Sequence, residues 1–149
     1  MRRDVYSRLV YARRLPLLGG LAYFTLKLLG VEIPLQVGVG EQLELAHGGF
    51  GVVIHPRTTI GSRVKIYPGV TLGRADIYRP ASQSAFDEIV VEDDAIICPG
   101  AKILCKQGVL KVSRGSVVGA NAVLLESTGE YEIWAGVPAR CVGKRDHPQ

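Results

Sequence analysis

The chain has 149 residues, 47% of them apolar and 21% charged, which supplies one buried core and the surface charge of an ordinary globular domain. Its formal charge of +4 is uneven: residues 1–30 hold Arg2, Arg3, Arg8, Arg13, Arg14 and Lys27 against Asp4, a net of +5, so the remainder is close to −1. No basic stripe with interleaved aromatics is present, which argues against a nucleic-acid surface. Cys98, Cys105 and Cys141 are odd in number and lack CxxC spacing, which predicts buried free thiols in a reducing, cytoplasmic compartment rather than a disulfide framework.

Residues 1–30 predict a helical cap, with a polar, arginine-rich helix to about residue 14 and an apolar helix from Leu17 to Leu29 that Gly30 ends. The apolar run is broken by Pro16 and Lys27, is shorter than the roughly 20 residues a membrane span needs, and has no small-residue cleavage site after it. Its mixture of basic and apolar residues also suits peripheral contact with an anionic membrane, the second reading of this segment. From Val31 a period of six takes over. Aliphatic residues fall at Ile33, Val39 and Leu45; at Ile54, Ile60, Ile66 and Leu72; at Val91, Ile97 and Ile103; and at Val112, Val118 and Leu124. Compact residues follow or lead them at Thr58, Val64, Val70, Ala95, Ala101, Ser116 and Ala122. Six is neither the 3.6 of a helix nor plain alternation; it is the step of a chain that turns a corner every six residues and points one aliphatic inward each time. The pattern predicts a parallel β-helix over residues 31–126. Its phase slips by three residues between Leu45 and Ile54 and between Ile103 and Val112, which predicts insertions at corners.

Residues 74–88 interrupt the repeat and predict an extruded loop. Residues 127–149 predict a turn followed by an irregular, basic tail. A stack this small leaves a flat, strand-lined flank exposed, and three prisms packed side by side would cover it, with ligand clefts between neighbours. Three histidines are available: His47, His55 and His147. His147 lies in the tail. His47 stands in AHGGFG, where the six-residue rhythm breaks and glycines let backbone and ligand approach closely. A histidine there suits general-base chemistry, since its unperturbed pKa of about 6.5 lies near neutrality; the plainer reading is a surface histidine on a turn.

Three segments, VEIPLQVGVGEQLELAHGGFGVVIHP, VTLG and AGVPARCVGK, resemble the hexapeptide acyltransferases, closest to the serine acetyltransferase branch and its relatives that O-acetylate sugars in polysaccharide synthesis. The resemblance runs from about Val31 to Lys144. It implies a left-handed parallel β-helix, a homotrimer, and direct transfer of an acetyl group from acetyl-CoA to a hydroxyl. His47 matches the family's catalytic histidine, and Glu32 matches the aspartate that orients it. For acetyl-CoA the match implies Gly73, Pro99 and Ala120 along the groove, a covering tail that includes Ala135, Gly136 and Arg140, and Lys144 and Arg145 toward the phosphates. The branch needs no metal; the related metal-dependent carbonic anhydrases require three histidines that His47, His55 and His147 do not supply.

Two departures bear on the acceptor. The serine acetyltransferases carry an aspartate just before the histidine, where this chain has Ala46. They carry a loop histidine in an HPKI-like run, where this chain has FDEI beginning at Phe86. An ammonium without a carboxylate partner loses water and gains nothing. The expected acceptor is therefore a sugar or polysaccharide precursor, contacted by Arg74, Asp76, Tyr78 and Arg79. The alternatives are serine itself and a non-catalytic assembly subunit.

Overall fold

The structure, a computed structural model, describes residues 5–146; Arg2, Arg3, Asp4 and His147 lie outside the described residues. Two helices come first, α1 (Val5–Ala12) and α2 (Gly19–Leu28), each shorter than the sequence pattern suggests. Gly30 follows at φ 80°, the left-handed conformation that ends a helix without a Cβ penalty.

Then the coil begins. Its first turn is β1 (Gly38–Val39), β2 (Glu44–Leu45) and β3 (Val53–Ile54). The second is β4 (Thr58–Ile60), β5 (Lys65–Ile66) and β6 (Thr71–Arg74). The third is β7 (Phe86–Val91), β8 (Ile96–Ile97) and β9 (Lys102–Cys105), and the fourth is β10 (Gly108–Val112), β11 (Val117–Val118) and β12 (Val123–Leu124). Strands three apart in sequence pair in parallel, so the chain visits three sheets in strict rotation: β1-β4-β7-β10, then β2-β5-β8-β11, then β3-β6-β9-β12. Helices are minor and the fold is mostly β, with each sheet built one strand per coil.

The period of six becomes three apolar columns. Val39, Ile60, Val91 and Val112 stack in the first sheet; Leu45, Ile66, Ile97 and Val118 in the second; Ile54, Leu72, Ile103 and Leu124 in the third. All twelve are buried, as are the compact corner residues Val64, Val70, Ala95, Ala101, Ser116 and Ala122. One corner is a stack of left-handed residues, Gly51, Gly69, Gly100 and Asn121, whose amides bond from coil to coil. Glycine holds three of these four positions because the left-handed conformation costs it nothing, and Asn121 is of a type that tolerates it.

Helix α1 and the turn after it close the open end of the stack, and their polar residues do the closing. Ser7 Oγ accepts from the Leu45 N–H, Tyr11 Oη donates to Gly40 O at 2.8 Å, and Arg14 donates to Val39 O. Arg13 is buried, donating to Ile33 O at 2.6 Å and to Pro34 O. Burial, and then the neighbouring Arg14, lowers its pKa to about 10. These residues satisfy backbone groups that a first coil has no preceding coil to pair with.

The other end differs from expectation. The tail is no irregular segment: β13 (Glu132–Gly136) adds in parallel to β11 and turns back into β14 (Ala139–Lys144), antiparallel to it. Trp134 is buried on the column above Val118, with its indole N–H donated to Glu132 at 2.8 Å, which is why an apparently loose segment is ordered. The extruded loop is also shorter than predicted, since β6 runs through Arg74 and β7 resumes at Phe86, whose ring is buried. The three cysteines are free, yet Cys141 is exposed on β14 and only Cys105 is fully buried.

Candidate active site

The insertion after Leu45 forms a short four-residue 3₁₀ turn, Ala46–Gly49, that bulges from the corner joining the second and third sheets. His47 sits there at φ 52°, ψ 30°, followed by Gly48 at φ 79° and Gly49 at φ 64°. Three successive left-handed residues turn the imidazole outward, and His47 is exposed. Gly48 is required from the other side: a Cβ there would lie 2.7 Å from the Tyr6 ring of α1. The nearest aromatic neighbour of the imidazole is Tyr67, one coil along, at 6.3 Å between ring centroids. Sequence reasoning passed over Tyr67, although it follows Ile66 as Ala46 follows Leu45 and so shares the same edge.

That edge continues through the molecule. Gly69 donates to Phe50 O, Gly100 to Pro68 O and Asn121 to Pro99 O, so Phe50, Pro68, Pro99 and Ala120 succeed one another coil by coil. Gly119 donates to Trp134 O and lies against Ala135, which carries the row on to Ala135 and Gly136. Four of the predicted cofactor positions, Pro99, Ala120, Ala135 and Gly136, thus line one edge that has His47 at its head. Four interstrand steps of about 4.8 Å separate its ends, roughly 19 Å in all, a span suited to an extended ligand. Arg140 lies beyond, exposed and paired with Glu126 at 3.2 Å; Lys144 is exposed, and Arg145 is half-buried with Nη1 unbonded. Gly73 stands apart, within β6 of the third sheet, with nothing within 4 Å of where a Cβ would be.

The expected carboxylate–imidazole pair is not formed. Glu32 accepts from Lys27 at 3.3 Å, and among the described residues no hydrogen bond joins it to His47. Its strand position explains this: Glu32 bridges Val53 on the third sheet, while Lys27 reaches it from the last turn of α2. The loop residues divide. Asp76 is buried and stands 3.6 Å from Arg74 Nε; Arg74 also donates to Arg79 O at 3.1 Å. Asp76 Oδ1 and Arg74 Nη1 have no hydrogen-bond partner. Tyr78 is exposed, with the Arg79 guanidinium 5.7 Å from its ring.

His55 lies elsewhere, half-buried, with its ring edge-on to Phe86 at 4.8 Å. Its Nδ1 accepts the Arg57 N–H at 3.1 Å, so the neutral ring carries its proton on Nε2. Burial first, then Arg57 and Arg74, hold its pKa below the ordinary imidazole value. Among the described residues no group of three or more histidine, cysteine or carboxylate side chains is placed to hold a metal.

No protein-family model matches the chain. Searches of characterised proteins and solved structures give a consistent result. The relatives are serine acetyltransferases. The enzyme from Bacillus licheniformis is 35% identical over 113 residues, covering 76% of this chain and 48% of that protein. The serine acetyltransferase of Staphylococcus aureus strain Mu50 is 36% identical over 113 residues, covering 76% and 49%. Among structures, the serine acetyltransferase of Vibrio cholerae superposes with a TM-score of 0.71 at 27% identity, over 87% of this chain and 48% of that one. A serine acetyltransferase in complex with CoA gives 0.67 at 31% identity, over 83% and 48%. The chain therefore spans about half the length of the serine acetyltransferases it matches, and the fold of that half is shared.

Proposed function

We propose that this chain is an acetyl-CoA-dependent O-acetyltransferase with His47 as its general base. The observation that carries the reading is the placement of His47, thrown outward by a left-handed turn at the head of a row of open backbone positions. The similarity to serine acetyltransferases, one of them a CoA complex, supports it. The row fits an extended thioester donor. Beyond Phe50, small or ring-closed residues keep its surface low, and Arg140, Lys144 and Arg145 lie at the far end for phosphates. Acetyl-CoA supplies an acetyl group already activated as a thioester. His47 takes the proton of the acceptor hydroxyl as that oxygen forms its bond to the acetyl carbonyl, and returns the proton to the departing sulfur. A backbone N–H on the same edge steadies the negative oxygen between these events. No acyl-enzyme is needed, because binding both substrates together supplies the proximity.

Serine is the acceptor that the relatives favour. A specific observation supports a second reading, a neutral hydroxyl such as that of a sugar: Ala46 and Phe86 stand where a carboxylate and a histidine would grip an amino acid, and both are buried and apolar. Arg74, Asp76, Tyr78 and Arg79 would then make the acceptor contacts. The coil is read as left-handed, and the flat flanks as faces of a homotrimer with the site between neighbours. The free thiols suit the cytoplasm.

The test is thiol release from acetyl-CoA with serine and with a panel of sugars. Turnover on either, lost by at least about a hundredfold in His47→Ala with CoA affinity retained, is the expected result. Full activity in that variant would sink the mechanism, and absence of CoA binding would favour a non-catalytic β-helix.

A further inference from the structure

The helical cap carries a surface that acetyl transfer does not use. α2 is apolar nearly all round, the composition of a helix buried on every side. Only one side is buried: Ala22 and Leu26 turn inward. Leu21, Phe24 and Leu28 form the opposite stripe at i, i+3 and i+7, and are 65%, 58% and 73% exposed. Leu17, in the turn before α2, is 94% exposed. A run of large exposed side chains of this kind marks an interaction surface.

Charge decides the occupant. Residues 5–32 contain Arg8, Arg13, Arg14 and Lys27 against Glu32 alone, a net of +3, with Arg8 and Arg14 exposed, Arg13 buried and Lys27 paired with Glu32. Tyr23 and Lys27 flank the outer stripe, with Lys27 Nζ 5.9 Å from the Tyr23 ring. An amphipathic aromatic and a long cation at the edge of an apolar stripe suit the boundary between lipid headgroups and acyl chains. Pairing this face with a second copy would bring two caps of net positive charge together, which like-charge repulsion opposes. An anionic bilayer complements it. No helix among the described residues is long and apolar enough to cross a membrane, so α2 would lie in the surface and not span it.

We propose that the outer stripe of α2 and the turn before it dock this protein on an anionic lipid surface, with Leu17, Leu21, Phe24 and Leu28 entering the headgroup–acyl boundary. The experiment is cosedimentation of the full chain with vesicles of phosphatidylcholine alone and of phosphatidylcholine mixed with phosphatidylglycerol. Expected is a partition at least about tenfold higher on the anionic vesicles, falling as salt is raised. The double variant Leu21→Ser, Leu28→Ser should lose that binding while its particle mass by light scattering and its helical circular dichroism stay unchanged. The single change Phe24→Ser should weaken partition by a smaller factor. Equal partition on both vesicles, no partition on either, or a smaller particle in the double variant would each overturn the proposal; the last would make the stripe an interface between copies.

Discussion

His55 and Arg13 show how the same physical term can serve opposite ends. Arg13 is a buried cation whose role is mechanical, since its guanidinium spans carbonyls that the first coil leaves open. His55 is a half-buried imidazole kept neutral by burial and by Arg57 and Arg74. Its folded pKa is depressed, so the unfolded chain takes up this proton first as the solution is acidified. Stability is therefore full above the ordinary imidazole value of 6.5 and falls as pH drops through it. Protonation would also break the bond that Nδ1 accepts from Arg57. The expected outcome is a melting temperature that declines as pH is lowered from about 7.5 to about 5.5, with a shallower decline in His55→Gln. Equal slopes would mean that some other group titrates. At this scale the sequence made His47 legible, because a broken repeat is visible as spacing. The cap role of Ser7, Tyr11, Arg13 and Arg14 was not legible, because it depends on which carbonyls the first coil leaves unpaired.

The elements repeat one lesson about what spacing encodes. Every aliphatic of the six-residue step occupies its predicted column, since a coil of fixed length returns the same position to the same face. The terminal hairpin escaped that logic. β13 is placed by pairing with β11 and by the Trp134–Glu132 bond, neither of which leaves a periodic trace. Glu32 shows the same limit: the repeat sets it beside Val53 on the first coil, while its carboxylate is paired with Lys27 from a helix that the repeat does not describe. The His47 turn and α1 meet closely enough to be tested. In Gly48→Ala the added methyl would strike the Tyr6 ring at 2.7 Å on a residue at φ 79°. A destabilisation of about 1–3 kcal/mol is expected, together with faster proteolysis within α1; a fully stable variant would show that α1 is free to shift.

At the scale of the molecule, both ends of the stack are finished. α1 covers one. At the other, Ser127 and Thr128 bond the outer edge of β10, accepting from Lys111 N–H at 2.9 Å and Ser113 N–H at 2.9 Å. The hairpin extends the second sheet, and its last strand carries exposed Arg140 and Lys144. Charged edge residues discourage a further strand from adding. Truncation after Glu130 should remove this protection and leave Val117 and Val118 without a partner on their outer edge. Particle mass is then expected to rise with protein concentration, measured by light scattering; a truncated chain that holds its mass would place the protection elsewhere. The consequence reaches beyond folding. Among the described residues the column is plugged top and bottom, so it offers a further copy its flanks, and under the proposed assembly a shared crevice would run lengthwise beside the ridge that His47 crowns.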